Sequence, residues 1–310
     1  MKRLVSAIFF LSFALASFGQ FGHEWIQSGR AYFKIPVARE GLYRITYSDL
    51  QKAGLSETPD PKTFQLFHRG VEQSITVAGE IDGIFDSSDY IEFFGRGNDG
   101  APDSTLYEKS QYQPHRYYNL FSDTTAYFLT YGSANGKRMA SYSGSSSGLT
   151  EESFHQAEKL LILKESYSAG LDYGTVQKTA FDEGEGWMGV MIRQGQEVSY
   201  PIGGIADVLT AGGKPIVEVM LTGRGAMPHQ AELYAGARFL SAISFQGFQS
   251  YLHRQQIEWG DIDGNGKLTL KVRVTGASGV DRLSAAYIRL FFPQQITMSG
   301  VSTRYFVLPE

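Results

Sequence analysis

Cysteine is absent from all 310 residues, which removes thiol nucleophiles, zinc–thiolate sites, iron–sulfur clusters and disulfide frameworks from the chemistry open to this chain. Concentrated positive charge is missing too. With 28 Lys and Arg against 32 Asp and Glu the net charge is −4, and no basic run exceeds two residues. A nucleic-acid partner, which needs a basic face or stripe, is therefore not expected. Long apolar runs are lacking as well. The only candidate, Leu4 to Leu15, is too short to span a bilayer, which takes about 20 residues, so no membrane span is expected. What remains is an ordinary globular composition, 42% hydrophobic and 19% charged with 35 Gly and only 10 Pro, and this excludes a disordered chain. Domains of roughly 100–200 residues are usual, so the length predicts two, each large enough to bury a core without metal or disulfides.

The first residues have a different purpose. Lys2 and Arg3 form a short positive region, the apolar run follows, and small residues come next at Ala14, Ala16, Ser17 and Gly19. This pattern predicts a cleaved secretory signal over residues 1–19, with cleavage after Ala16 fitting as well as after Gly19. The mature chain would be exported to the periplasm, the outer-membrane surface or the medium. Without Lys2 and Arg3 it carries 26 basic against 32 acidic residues.

The remainder reads as all-β, because short aromatic and β-branched segments alternate with Gly, Asp and Ser turns. Strands are expected at Ala31–Val37, Leu42–Thr46, Thr63–His68, Ser74–Val77, Tyr90–Phe94, Tyr117–Phe121 and Ala126–Tyr131. A short helix fits Ser48–Ala53, with Ser48 as N-cap and Gly54 ending it in a left-handed conformation. Residues Lys137–Ser153 are dense in Ser and Gly and poor in aliphatics, and predict a linker. The expected division is an N-terminal β domain over 20–136, the linker over 137–153, and a β-sandwich, jelly-roll-like, over 154–310. Beyond the linker, Phe154–Ser168 fits a helix or a buried strand, and strand is preferred. Further strands are expected at Gly189–Arg193, Glu197–Tyr200, Pro215–Thr222, Ala231–Tyr234, Phe239–Phe245, Tyr251–Trp259, Lys267–Val274 and Ala285–Phe292.

Several motifs invite a chemical reading. Gly95–Gly100 and Gly184–Gly189 both match G-x-G-x-x-G, but a dinucleotide site needs a helix directly after the glycines, and neither sequence continues that way. Both read as turns. Gly144–Gly148 matches the G-x-S-x-G nucleophile elbow, yet it lies in the linker without the strand and helix that make the Ser reactive. Asp261, Asp263 and Asn265, followed by Gly266, resemble the first half of a calcium loop; Val272 stands where a bidentate carboxylate is needed, and an Asp/Gly hairpin turn explains the same residues. Asp82, Asp86 and Asp89 crowd three carboxylates before a strand. Asx-turns account for them, with calcium as the alternative cofactor. The six histidines, at 23, 68, 115, 155, 229 and 253, show no metal-ligand spacing, and His229 in the loop GRGAMPHQ merits first inspection. Trp25, Trp187 and Trp259 could build a sugar-stacking platform, although most aromatics of a β protein belong to its core.

Four segments, taken in order, resemble the N-terminal, non-catalytic region of gingipain-like cysteine peptidases, in particular the PorU-like sortases of the type IX secretion system of Bacteroidetes. They are REGLYRITYSDLQKAGL at Arg39–Leu55, FQLFHRGVEQSITVAGEIDGIFDSSDYIEFFGRG at Phe64–Gly97, GEGWMG at Gly184–Gly189 and DRLSAAYIRLFFPQQI at Asp281–Ile296. The resemblance covers the chain from about Trp25 onward. It implies a secreted region of a peptidase precursor that packs beside or shields a downstream peptidase domain, with that domain, other secretion components and protein substrates as partners. It transfers no catalytic residue, because the family's nucleophile is a Cys. The family's peptidase domain would be expected just after YFVLPE, so the chain is expected to be the front of a longer precursor. The alternative is a free-standing β-sandwich module that binds carbohydrate or a surface protein. A hydrolase acting by itself is the weakest reading, since no nucleophile, base and oxyanion donors come together.

Overall fold

Alternating burial along the strands builds the molecule. In Leu268–Val274 the side chains of Leu268, Leu270, Val272 and Val274 are fully buried while those between them reach outward, the period-two pattern of a strand with one face on a core. The computed structural model describes residues 23–141, 143–144, 148, 150–171, 178–276, 279–301 and 304–308. The expected signal at 1–19 and Ser145–Ser147 of the elbow-like motif lie outside the described residues. The chain divides into two compact units, the first formed by residues up to Asn98 and by Asp123–Gly144, the second by Asp99–Ser122 and the residues from Ser145 onward.

The first unit contains β1 (Phe33–Val37), β2 (Gly41–Thr46), helix α1 (Tyr47–Lys52), β3 (Gln65–His68), β4 (Val71–Gln73), β5 (Thr76–Ala78), β6 (Tyr90–Gly95) and β7 (Thr125–Thr130). One sheet has the order β1-β7-β3-β4 and the other β2-β6-β5. Val37, Leu66 and Leu129 from the first and Ile45, Val77, Ile91 and Phe93 from the second share one core with Leu50 of α1. The helix starts one residue earlier than the sequence predicts, and Ser48 is not its cap. Thr46 caps it instead: its Oγ1 accepts the N–H of Asp49 at 3.2 Å, and the Asp49 carboxylate accepts the N–H of Thr46 at 3.0 Å. This reciprocal pair satisfies two N–H groups that the first turn leaves open. Thr46→Ala is expected to cost the first unit about 1 kcal/mol, with Thr46→Ser near neutral, as read from denaturant midpoints.

The expected linker is partly docked. Arg138 donates to Glu80 and to the carbonyls of Pro61 and Phe64, and Lys137 and Met139 bond the backbone of Ile75. The side chain of Arg138 thus draws the start of a Ser/Gly-rich stretch onto the first unit.

The second unit contains β8 (His155–Ile162), β9 (Ser166–Ala169), β10 (Glu185–Met188), β11 (Ile192–Arg193), β12 (Glu197–Ile202), β13 (Ile216–Gly223), β14 (Pro228–Ala235), β15 (Arg238–Gln246), β16 (Ser250–Gln256), β17 (Leu268–Val274) and β18 (Arg282–Gln294). The stretch at Phe154–Ser168 is strand, as preferred. β9 and β10 form a small sheet of their own. The others form two antiparallel sheets, β11-β18-β13-β16 with β8 also on β18, and β12-β17-β14-β15. From β12 onward the chain crosses repeatedly between these sheets, and only β14 and β15 are a hairpin of consecutive strands. That nesting is the jelly roll. Its core holds Val217, Val219, Leu221, Leu233, Leu270, Val272, Ile288, Leu290 and Phe292. β18 faces the core with Leu283 and Ala285 and then with Ile288, Leu290 and Phe292, a change from odd to even positions. A bulge explains it: Met220 pairs with Tyr287 and Leu221 with Ala285, leaving Ala286 as the extra residue.

Tyr117–Phe121 is not a strand. Asp103 accepts the side-chain N–H of Asn119 at 2.6 Å and the backbone N–H of Leu120 at 2.7 Å, and Asn119 accepts the N–H groups of Phe121 and Ser122. The donors that a ladder would use are held by side chains, so an aromatic-rich segment stays irregular. Its place in the second unit is fixed by Tyr107, which donates to the carbonyl of Glu185, and by Trp187, which donates to that of Leu120. The two G-x-G-x-x-G segments carry no helix start: the first leads into a 3-10 turn at Pro102–Leu106, and the second is largely strand β10.

Candidate functional site

β14 places His229 inside the second unit, opposite Asp281 at the entry to β18, and both side chains are at most 1% exposed. Nδ1 of His229 lies 2.6 Å from Oδ1 of Asp281, and Nε2 lies 2.7 Å from the carbonyl of Gly247. A carbonyl can only accept, so Nε2 carries a proton, and a contact of 2.6 Å between Nδ1 and a carboxyl oxygen requires another proton between them. The pair is neutral as a whole. Asp281 also accepts the backbone N–H of Gln230 at 3.0 Å. A side chain at Gly223 would overlap His229 and one at Gly276 would overlap Asp281, which explains both glycines. Among the described residues no hydroxyl is bonded to the imidazole, and the pair serves as a buried strut between β14 and the entry to β18, without the nucleophile of a hydrolytic triad.

The other histidines are dispersed. His68 contacts the hydroxyl of Thr125 and stacks on Tyr127, and His253 contacts the Gln255 side chain. His115 donates from Nε2 to the Leu163 carbonyl at 3.0 Å, and burial pushes its pKa down to about 4. His155 lies at the start of β8, and burial lowers its pKa too, against the raising effect of the hydrogen bond it donates to Gln294 Oε1.

The five carboxylates among the predicted calcium candidates are each engaged by protein donors, and Asn265 contributes its backbone N–H to Asp263. The Asp261 carboxylate takes both an ion pair from Arg238 and the N–H of Glu258, and the Arg238 hydrogen bond holds it below the usual carboxylate range. Asp263 accepts the N–H groups of Asn265 at 2.9 Å and Lys267 at 3.1 Å, a hairpin turn closed by its own side chain. Asp82 accepts from Ile84, Asp86 from the N–H and hydroxyl of Ser88, and Asp89 from the N–H of Asp86. Among the described residues no group of three or more His, Asp or Glu side chains is arranged to hold a metal ion.

The tryptophans lie on separate elements. Trp25 stacks on Phe67 in the first unit, Trp187 meets Tyr167 edge-on between β9 and β10, and Trp259 packs on the jelly-roll core and donates to the carbonyl of Gly213. Among the described residues no helix is long and apolar enough to cross a membrane.

One feature of the second unit was not visible in the sequence. Residues 304–308 run beside the free side of β8, where the N–H of Gln156 donates to the carbonyl of Val307 at 2.7 Å. A cavity of about 500 Å³ lies there, lined by His155, Lys159, Gln294 and Arg304 among others. No sequence signal joins His155 to residues about 140 positions away.

Two β units, the second a jelly roll, place the chain in the all-β class. No family model matches the sequence, and no curated protein matches it. Among solved structures, dimeric latent PorU from Porphyromonas gingivalis is 14% identical, with a TM-score of 0.54 over 88% of this chain and 25% of that one. The chain therefore has a PorU-like fold and spans about a quarter of that protein's length. A CBM36 domain of a multidomain xylanase from the hindgut metagenome of Trinervitermes trinervoides is 18% identical, covering 43% of this chain and 96% of its own, with a TM-score of 0.29. That score is too low to bear on fold or function.

Proposed function

We propose that the chain is an exported, non-catalytic scaffold of a gingipain-like cysteine peptidase of the PorU-like sortase type, packing beside a peptidase domain to shield its cleft or orient protein substrates. The observation that carries this reading is the PorU-like fold, which extends through both β units and so goes beyond a single common sandwich. Three further features support it. The sequence has no Cys, the nucleophile that the resembled peptidases use. The hydrogen-bonding capacity of the buried His229–Asp281 pair is consumed by the fold. Ile296, Met298, Val301, Tyr305, Val307 and Leu308 expose apolar side chains along one segment of the second unit, as a surface covered by another domain would. A carbohydrate-binding module would gather its aromatic rings on one face, and here the three tryptophans lie on separate elements. The reading is tested by the gene sequence beyond the codon for Glu310, which should continue in frame into a domain carrying a Cys and a His.

A further inference from the structure

Side chains directly opposite each other on antiparallel strands share one face of the sheet, and like charges placed there repel. At one end of the sheet that contains β18, three arginines stand in such a row. Arg193 of β11 pairs with Arg282 of β18. On the other side of β18 the pairing of Gly223 with Leu283 continues into Arg224, whose N–H bonds the carbonyl of Arg282 at 3.0 Å. Ile192 and Leu283, the chain neighbours of Arg193 and Arg282, are buried in the jelly-roll core, so the row lies on the outer face. None of the three forms an ion pair among the described residues, although Arg238, Arg254, Arg289 and Arg304 of the same unit each hold a carboxylate. A chain of net charge −4 thus keeps three positive charges side by side.

Arg224 is the fixed member of the row. Its Nη1 donates to the hydroxyls of Ser166 at 3.1 Å and Ser284 at 3.2 Å, and its Nη2 to the carbonyl of Tyr167 at 3.2 Å. These neutral partners hold the guanidinium in place without balancing its charge, while burial and the nearby charge of Arg282 both oppose its positive form. Three of its five N–H groups are used, which leaves Nε–H and one N–H of Nη2. Nε is open to solvent: among the described residues the buried side-chain atoms without a partner belong to His115, His155, Tyr200 and Arg304. Arg282 is exposed and passes Gly225, where a Cβ would lie 3.5 Å from its Nε. A pair joined through its backbone in this way has Cα atoms about 5.5 Å apart, so both side chains can reach one anion. A carboxylate would balance one of the three charges. A phosphate monoester, with a second pKa of about 6, balances nearly two at neutral pH and has three oxygens to share between guanidinium groups.

We propose that this row binds the phosphate monoester group of a ligand, with the phosphoryl oxygens on Arg224 and Arg282 and with Arg193 adding charge beside them. The site is independent of the scaffold reading, because it is built within the second unit alone. The test uses the full chain with its arginines labelled with ¹⁵N, titrated at pH 7 and constant ionic strength while the Nε–H resonances are followed by NMR. Methyl phosphate is expected to give a saturable shift of the Arg224 resonance, identified by its loss in Arg224→Lys. Dimethyl phosphate, a monoanion, and acetate are each expected to bind at least about 10-fold more weakly, the loss of one charged hydrogen-bonding contact. Arg282→Gln, a substitution at an exposed side chain, should weaken methyl phosphate by a similar factor without lowering the urea midpoint, since it removes a like charge from the row. Sedimentation with phosphatidylcholine vesicles only when they contain phosphatidic acid, reversed by methyl phosphate, would assign the monoester to a lipid headgroup; no sedimentation would assign it to a soluble ligand. No saturable shift with methyl phosphate, equal binding of dimethyl phosphate or acetate, or unchanged binding in Arg282→Gln would each overturn the proposal.

Discussion

His229→Ala is expected to destabilise the second unit by about 3–5 kcal/mol, the scale seen when one member of a buried charged or proton-sharing pair is removed. The loss has identifiable parts. Asp281 keeps only the N–H of Gln230, its Oδ1 loses the partner at 2.6 Å, and the carbonyl of Gly247 loses its donor, all in a site closed to water. The ring's packing on Phe245, with centroids 5.0 Å apart, is lost as well. Asp281→Asn should cost less than His229→Ala, because an amide can still accept from the imidazole or the Gln230 N–H. Urea unfolding followed by tryptophan fluorescence measures both. A loss below about 1 kcal/mol for His229→Ala would mean that the site is wetter or looser than its geometry indicates.

Lowering the pH from 7 to 4 is expected to destabilise the second unit by about 2–3 kcal/mol through His115. Burial holds this ring's pKa at about 4, against an ordinary 6.5 in the unfolded chain. Below 6.5 the unfolded chain takes up a proton that the folded one refuses, so stability is complete above that pH and falls as pH drops toward 4, where the folded form protonates as well. His155 acts in the same direction. In the second unit Asp261, held below the usual carboxylate range by Arg238, loses its contribution only at more acid pH, from about its ordinary 3.8 downward, so the two windows separate. Stability curves at closely spaced pH values should show a slope between pH 6.5 and 4 that flattens in His115→Gln. An unchanged slope in that variant would contradict the assignment.

Legibility in the sequence followed the range of the forces involved. The strand at Leu268–Val274 was plain because local alternation and burial agree, and Asp263 read as a turn because its side chain bonds N–H groups two and four residues on. The helix start was misplaced by one position: Ser48 and Thr46 are both acceptable caps, and the choice rests on Asp49 reaching back to Thr46. Tyr117–Phe121 has strand composition, yet Asp103, sixteen and seventeen positions away from its partners, takes the donors a strand needs. At the candidate sites the separations are longer still. His229 stood out in its Gly-rich loop, but its partner Asp281 is 52 residues on, and nothing in periodicity joins them. The row of Arg193, Arg282 and Arg224 depends on the register of three strands, a property that exists only after folding.

The scaffold account is tested most directly by sequencing the gene beyond the codon for Glu310. It predicts an uninterrupted frame that encodes a further domain containing a Cys and a His suited to peptidase chemistry. A stop codon at that point, leaving the two β units as the entire gene product, would contradict it.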